Sequence, residues 1–260
     1  MKTLLYISLL FLAINHASCK KDTKTIEPEP TPQPQTGTLK LEFENLVDTS
    51  KLLLGKKYLN PLGDTFVVST FNYFISNIVL VNTDNSTFIE PNSYHLVKHS
   101  TSASLIISIS GVPAGSYKAV KFMLGVDSLR NVSGAQTGDL DPAVSGSMFW
   151  SWNTGYIFMK FEGTSPKSGD PGKNLSYHIG GFGGANKTQR SFDLNFGSSN
   201  ANVSLTASPI VHLSADVNQL FKSPTTIDFN TKYNILSTGS NAKLIADNYA
   251  DMFNFKHIHN

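Results

Sequence analysis

The organisation of the fold is set by the stretch Met148-Phe149-Trp150-Ser151-Trp152-Asn153-Thr154-Gly155-Tyr156, which contains both tryptophans of the chain. Residues 156–162 are rich in aromatic and β-branched residues and are closed by Gly163, a pattern that predicts a β-strand. Trp150 and Trp152 are spaced i, i+2 at the entrance of this strand, so we expect their side chains on one face. The ordinary interpretation of such tryptophans is that they anchor the core, because Trp buries a large area wherever it packs.

Other segments of the chain also have the patterns of β-strands. Residues 39–43 alternate apolar with charged side chains, which is typical of a strand with one buried face. Residues 71–81 are apolar on both faces over much of their length, which indicates a central strand covered on both sides. Residues 105–109 and 117–124 flank a Gly- and Pro-containing turn and predict a hairpin. We therefore predict an all-β fold, an antiparallel β-sandwich of roughly eight to eleven strands with long loops.

One short helix is predicted near the C-terminus, over residues 241–252, where the apolar residues form an amphipathic stripe. No second linker is visible, so residues 38–260 are predicted to form a single domain. A long polar excursion, residues 131–143, precedes the tryptophans. Long structured loops inside compact domains are more often functional than decorative.

The N-terminal residues predict export and lipid attachment. Residues 4–14 are too few to span a bilayer stably, and Ala17-Ser18-Cys19 resembles a bacterial lipobox. We expect residues 1–18 to be a lipoprotein signal peptide, with Cys19 carrying the lipid and anchoring the exported protein in a bilayer, on the periplasmic face or at the cell surface. The alternative, an ordinary signal peptide, leaves a free thiol, which is uncommon in oxidising compartments. Residues 19–37 are rich in alternating proline and predict an extended tether.

The composition gives no sign of a polyanionic partner. The 260 residues carry a formal net charge of +2, and only 15% of them are charged. The chain is rich in Asn, Ser, Thr and Gly and is 11% aromatic, which suits an extracytoplasmic β-rich domain. We therefore expect no binding to nucleic acid.

Motifs of the common catalytic classes do not occur in the sequence. It has no Gly-x-Ser-x-Gly elbow and no His-Glu-x-x-His motif, and the glycine-rich residues 180–184 lack the lysine of a phosphate-binding loop. Asp127, Asp139 and Asp141 precede the tryptophans and suit either calcium binding or the capping of turns, of which capping is the more common role. No nucleophile is paired with a base, so we expect no catalytic residues and no enzymatic activity.

Histidines are the residues best suited to bind a metal ion. A single cysteine excludes a Cys-rich zinc or iron–sulfur site. His95 and His178 each lie in a strand pattern, where a lone histidine is more often structural. His257 and His259 are spaced i, i+2 and would face one way in an extended segment, as two ligands of one metal must, although chain termini are usually mobile. We rank His178 and His95 first and keep the terminal pair as secondary metal candidates.

Five segments of the chain together carry a resemblance to a known family. They are Phe74-Ile75-Ser76-Asn77-Ile78; Tyr94-His95-Leu96-Val97; Gly125-Val126-Asp127 with Asn131; Met148-Phe149-Trp150-Ser151-Trp152 with Gly155-Tyr156 and Glu162-Gly163; and Tyr177-His178-Ile179-Gly180-Gly181. This series resembles the MbnP-like copper-binding family. The resemblance covers most of the domain, and the Trp-x-Trp-x-x-Gly-Tyr segment is its most specific part.

The resemblance implies a β-sandwich that binds copper through histidine and through a tryptophan oxidised to kynurenine by a partner di-haem oxidase. Opening the indole would supply an aromatic amine as a nitrogen ligand, whereas the indole N–H is only a donor. Imidazole together with a soft or aromatic-amine ligand suits copper better than calcium or magnesium. The metal ligands implied for this sequence are Trp150, Trp152, His178, His95 and Met148.

A second function stays open on the residues alone. The sandwich would then bind a glycan or another protein at the surface, with Trp150, Trp152 and Tyr156 as an aromatic platform and the histidines incidental. Solvent-exposed indoles would favour this second function. Copper binding that depends on His178 would favour the first.

Overall fold

The computed structural model describes residues 35–134, 136–152 and 155–260. The predicted signal peptide, the predicted lipidation site Cys19 and most of the predicted tether lie outside the described residues. The first strand begins at Thr36, just before the predicted start of the domain at residue 38. Within the described ranges, no helix is long and apolar enough to cross a membrane.

Strands predominate in the described part of the chain. In chain order they are β1 (Thr36–Val47), β2 (Ser50–Lys51), β3 (Lys57–Leu59), β4 (Thr65–Asn82), β5 (Thr87–Ile89), β6 (Tyr94–Lys98), β7 (Ile106–Pro113), β8 (Gly115–Leu124), β9 (Met159–Thr164), β10 (Asn174–Ile179), β11 (Arg190–Asn195), β12 (Ala201–Val203), β13 (Ile210–Asp216), β14 (Asn234–Ile235) and β15 (Phe253–His259). The α-helices are α1 (Ser128–Val132), α2 (Pro142–Ser145) and α3 (Ser240–Tyr249), and single 3-10 turns cover Ser102–Leu105, Gly138–Leu140, Gly146–Met148, Gly184–Asn186 and Val217–Phe221.

The strands form two sheets. The smaller sheet has the order β15-β13-β1-β2, with β7 also paired to β1. The larger sheet has the order β11-β8-β4-β9-β10-β14, with β12 paired to β8 and with β3, β5 and β6 paired to β4. Antiparallel pairs predominate, while β1 with β13 and β10 with β14 are parallel. The predicted β-sandwich with one short C-terminal helix is confirmed, and α3 ends at Tyr249 rather than at residue 252 because the chain turns into β15.

The central strand of the larger sheet is β4. It pairs with β3, β6 and β5 along one edge and with β9 and β8 along the other. Its inward face packs Tyr73 against Phe43 of the smaller sheet, with ring centroids 6.1 Å apart. Its outward face packs Phe74 against Tyr156, at 5.6 Å. Both faces of β4 are therefore covered, as its apolar sequence predicts.

The segment between β8 and β9, which contains the predicted polar loop, covers the outer face of the larger sheet. Three carboxylates in this segment accept backbone hydrogen bonds that stabilise its position. Asp127 and Asp141 accept backbone N–H groups in the first turns of α1 and α2, at 3.1 and 2.9 Å. Asp139 accepts the backbone N–H of Leu96 in β6, at 2.7 Å. All three side chains thus act within turns or between the excursion and the sheet, which is the role that the sequence favours.

Candidate metal site

Trp150 is buried against the segment that carries His178. Its indole packs on the backbone of Gly180, where a Cβ atom would lie only 2.6 Å from Cη2 of Trp150. His178 lies in β10, two residues before Gly180, so both positions face the same side of the strand, about 7 Å apart. Trp150 and His178 are therefore neighbours on the outer face of the larger sheet.

The two tryptophans are close together but differ in exposure. Their ring centroids lie 5.9 Å apart at an interplanar angle of 49°. Trp150 is 4% exposed and Trp152 is 64% exposed. The expected strand start at residue 156 is replaced by an isolated bridge between Phe149 and Tyr156, and β9 begins only at Met159. Tyr156 is buried as well, so Trp152 is the exposed ring among the three that would form an aromatic platform.

The indole nitrogen of Trp150 lacks a partner. Nε1 is buried and makes no hydrogen bond to any described residue. A buried N–H group left unpaired typically costs about 1–3 kcal/mol, so it calls for a physical reason. A chemical change of the ring, or a group bound beside it, would remove this cost.

His178 is oriented by a carboxylate. Its Nε2 lies 2.9 Å from Oε1 of Glu162 on the neighbouring strand β9. The Nε2–H therefore donates to Glu162, which leaves the imidazole lone pair on Nδ1, the arrangement found around metal-binding histidines. Burial lowers the pKa of His178, although the hydrogen bond to Glu162 opposes the shift. The lowered pKa favours the neutral ring, which is the form in which histidine binds a metal.

Lys160 completes the polar group around His178. Its Nζ lies 3.1 Å from Oε1 of Glu162 and donates to Oγ of Ser147 at 2.9 Å. Burial tends to raise the pKa of Glu162, but the hydrogen bonds from His178 and Lys160 outweigh it and lower the pKa. Sequence reasoning did not identify Lys160 as part of a site, and it gave Glu162 no role at the metal. Their i, i+2 spacing in a predicted strand was the available signal, but their register with His178 was not visible.

Met148 and His95, the two remaining candidate ligands, lie in different places relative to a site at Trp150. Met148 follows Ser147, and its side chain is buried in the same hydrophobic core cluster as Trp150. His95 of β6 pairs with Ile75 of β4. His178 of β10 pairs with Lys160 of β9, which in turn pairs with Asn72 of β4, three residues before Ile75. An odd separation along one strand puts the two rows on opposite faces of the sheet. His95 instead contacts Glu90, at 2.9 Å, and does not converge with His178.

The secondary pair, His257 and His259, lies in β15 and is joined by a histidine that the sequence did not single out. One ring nitrogen from each of His212, His257 and His259 lies within 4.8 Å of the others. His212 belongs to β13 in the smaller sheet, so this cluster is on the opposite side of the sandwich from Trp150. Its position in the alternating run of residues 210–214 indicates an outward side chain, but nothing in the sequence pairs it with the C-terminal strand.

These features define a class of protein: a two-sheet β-sandwich in which a long excursion brings a Trp-x-Trp segment onto the outer face of the larger sheet, beside a carboxylate-oriented histidine. The chain belongs to the MbnP family, whose model matches residues 36–240. Membership of this family fits a copper-binding-related protein. The match ends at Ser240, the first residue of α3, so β15 lies outside it.

Comparison of structures supports the same fold. MbnP from Methylosinus trichosporium superposes with a TM-score of 0.53 at 14% sequence identity, over 78% of this chain and 83% of that one. No curated protein sequence matches the chain. At this identity the structural likeness shows the fold, and the family model shows the membership.

Proposed function

We propose that this chain is an exported lipoprotein that binds copper on the outer face of its larger sheet, without catalytic turnover. His178 supplies an imidazole ligand, and Trp150, converted to kynurenine, supplies an aromatic amine beside it. Two observations carry the proposal: the imidazole of His178 is oriented by Glu162 on the strand that leads to Gly180, on which Trp150 packs, and the buried indole nitrogen of Trp150 has no partner among the described residues. Membership of the MbnP family supports copper as the metal.

The modification would give Trp150 a ligand atom that it lacks as tryptophan. Oxidative cleavage of the C2–C3 bond of the indole, with an oxygen atom added to each carbon, gives N-formylkynurenine, and the oxidising equivalents come from a partner di-haem oxidase. Hydrolysis then releases C2 as formate and leaves an aryl ketone and a free aromatic amine. The amine has a lone pair, whereas the indole N–H only donates. Trp152 is the other candidate for the same change, because its ring lies 5.9 Å from that of Trp150 and is exposed.

The proposal of binding without turnover rests on the sequence, in which no motif of the common catalytic classes occurs, and the polar groups near Trp150 suit the holding of a ligand. Glu162 accepts from His178 and from Lys160, and Lys160 in turn bonds Ser147. Each of these groups orients its neighbour, and the network holds the imidazole of His178 in one position. A binding protein uses such a network to fix one ligand in place.

The proposed location follows from the N-terminal residues. Lipid on Cys19 anchors the protein in a bilayer, and the proline-rich residues 19–37 space the domain from it. An extended tether of this kind spans about 3 Å per residue, which amounts to a few nanometres. The domain would then meet copper and the partner oxidase on the periplasmic face or at the cell surface.

Mass spectrometry and metal analysis of the same native material test the proposal. The protein is purified from its own membrane after growth with copper, with His257→Ala and His259→Ala present so that the C-terminal histidines do not contribute. We expect a kynurenine mass shift at Trp150 and bound copper. His178→Ala should abolish that copper, while His95→Ala, on the opposite face of the same sheet, should retain it. Intact tryptophans, together with copper binding that survives His178→Ala, would overturn the proposal.

A further inference from the structure

The smaller sheet carries three histidines on its outer face because of one irregularity in strand pairing. Leu213 of β13 pairs with Phe255 of β15, yet His212, its neighbour, pairs with His257. Lys256 is therefore an extra residue, a β-bulge, and it shifts the alternation of the strand beyond it. Ile258 consequently packs inward against the core, while the side chains on either side of it point outward.

The bulge brings three imidazole rings together. The rings of His212 and His257 stack with centroids 4.2 Å apart and an interplanar angle of 12°. The ring of His259 lies 4.7 Å from that of His212 and 4.8 Å from that of His257. His257 and His259 are exposed and His212 is half-buried, so the cluster is open to solvent on one side.

Two further observations point to a ligand at this cluster. Nε2 of His212 is buried without a hydrogen-bond partner in the described part of the chain. Oε2 of Glu42, on the adjacent strand β1, lies 3.6 Å from Nδ1 of the same ring. A metal-binding imidazole usually has a carboxylate near its second nitrogen, which orients the ring.

We propose that His212, His257 and His259 bind one divalent first-row transition metal ion at the outer face of the smaller sheet, with Glu42 orienting His212. Three imidazoles with one open position form a common zinc arrangement, and imidazole ligands suit copper(II) and nickel(II) as well. The affinity of such a site for divalent first-row metal ions rises from manganese to copper and is lower again for zinc. The site therefore accepts zinc and holds copper(II) more tightly.

The geometry needs only side-chain adjustment to accept the ion. Metal–nitrogen bonds of about 2.0–2.1 Å in a tetrahedral site put the ligand nitrogens roughly 3.3 Å apart. The nitrogens now lie within 4.8 Å of one another. His257 and His259 are exposed, so rotation of their side chains closes the difference without moving the strands.

This site is separate from the copper site proposed above. It lies on the other sheet of the sandwich, and two of its three ligands follow residue 240, where the family match ends. It consists of unmodified side chains, so it requires no partner oxidase. Either site therefore stands if the other fails.

Zinc titration of the purified full chain, freed of metal by a chelator, tests the inference. Zinc is used first because it has no redox chemistry, and competition with copper(II) then ranks the two ions. We expect one zinc per chain, bound by the wild-type protein and by His178→Ala. His257→Ala/His259→Ala should weaken binding by more than about a hundredfold, since losing even an outer-shell partner typically costs 10–100-fold.

The control for the fold is the unfolding midpoint without metal, which the double variant should share with the wild-type chain because both side chains are exposed. Zinc should raise the midpoint of the wild-type protein and leave that of the double variant unchanged. His95→Ala, a half-exposed histidine on the other sheet, should behave as wild type. Zinc affinity that is unchanged in His257→Ala/His259→Ala, or that is lost in His178→Ala instead, would overturn the inference.

Discussion

The imidazole rings of His212 and His257 stack face to face, 4.2 Å apart, across the pair of strands β13 and β15. Their contact depends on the bulge at Lys256, because regular pairing from Leu213 and Phe255 onward would set Lys256 opposite His212. His257 would then point into the core. The bulge accommodates Lys256 as an extra residue and so keeps the C-terminal histidines on the same face as His212.

Deletion of Lys256 is therefore predicted to remove the bulge and to leave the three-histidine site in place. The deletion puts His257 directly after Phe255, so regular alternation sets His257 opposite His212 and facing outward, with Ile258 inward and His259 outward. Zinc titration should show binding at the wild-type affinity. Lys256→Ala keeps the bulge and should bind zinc as the wild-type chain does. Loss of zinc binding in the deletion variant would mean that the pairing of β13 with β15 does not place the ligands.

The orientation of His178 by Glu162 leads to a prediction for copper. Glu162→Gln replaces the charged acceptor 2.9 Å from Nε2 of His178 with a neutral amide oxygen, so the tautomer and the ring position of His178 are held less strongly. Loss of such a partner typically lowers metal affinity by about 10–100-fold. Equilibrium titration of kynurenine-containing protein with copper, with His257 and His259 replaced by alanine, measures the change.

The matched control for that variant is Glu90→Gln. Glu90 makes the same contact with His95, also at 2.9 Å, but on the opposite face of the larger sheet. Copper affinity should stay at the wild-type value in this variant. Equal losses in Glu162→Gln and Glu90→Gln would point to a general effect on the sheet instead of an effect on one ligand.

Part of this fold follows from local sequence pattern. The run that became β4 is apolar on both faces, and the structure covers both. The amphipathic stripe of apolar residues predicts the helix α3 near residue 245. These features depend on the periodicity of neighbouring residues, which a single sequence displays directly.

The candidate sites depend on register and on turns, which sequence pattern does not fix. His95 and His178 lie in similar strand contexts. The residues of β4 that are level with them, Ile75 and Asn72, are an odd number of positions apart, so the two histidines face opposite sides of the sheet. Trp150 and Trp152 share an i, i+2 spacing but not a regular strand, so one is buried and the other exposed. His212 is 45 positions before His257 in the sequence, and a bulge brings them together.

Because Trp150 packs directly on Gly180, adding a single methyl group at this position is predicted to lower stability. In Gly180→Ala the new Cβ would lie 2.6 Å from Cη2 of Trp150 and 2.5 Å from the backbone oxygen of Tyr156. The indole must move, and overpacking of this kind typically costs about 1–3 kcal/mol. Denaturant unfolding measures the cost, and tryptophan fluorescence reports the displacement. Gly183→Ala, where a Cβ meets nothing within 4 Å, should leave both readouts unchanged.

The last prediction concerns acid stability and rests on Asp247 in α3. Asp247 pairs with Arg190 of β11, and Nζ of Lys243 lies 2.6 Å from its Oδ2, so the carboxylate ties the helix to the larger sheet. Burial tends to raise the pKa of Asp247, but the hydrogen bonds from Lys243 and Arg190 outweigh it and lower the pKa.

A carboxyl whose pKa is lower in the folded than in the unfolded state stabilises the fold above the unfolded pKa, about 4, and this contribution is lost as the pH falls through the folded pKa. Asp247→Asn should therefore unfold at lower denaturant concentration than wild type at pH 7, and the difference should shrink as the pH falls toward 3. Denaturant midpoints at a series of pH values measure this. Asp193→Asn, at an exposed ion pair with Lys121, controls for the loss of a surface carboxylate and should change the midpoint little at pH 7. A difference between Asp247→Asn and wild type that stays constant down to pH 3 would show that the carboxylate charge does not tie α3 to the sheet.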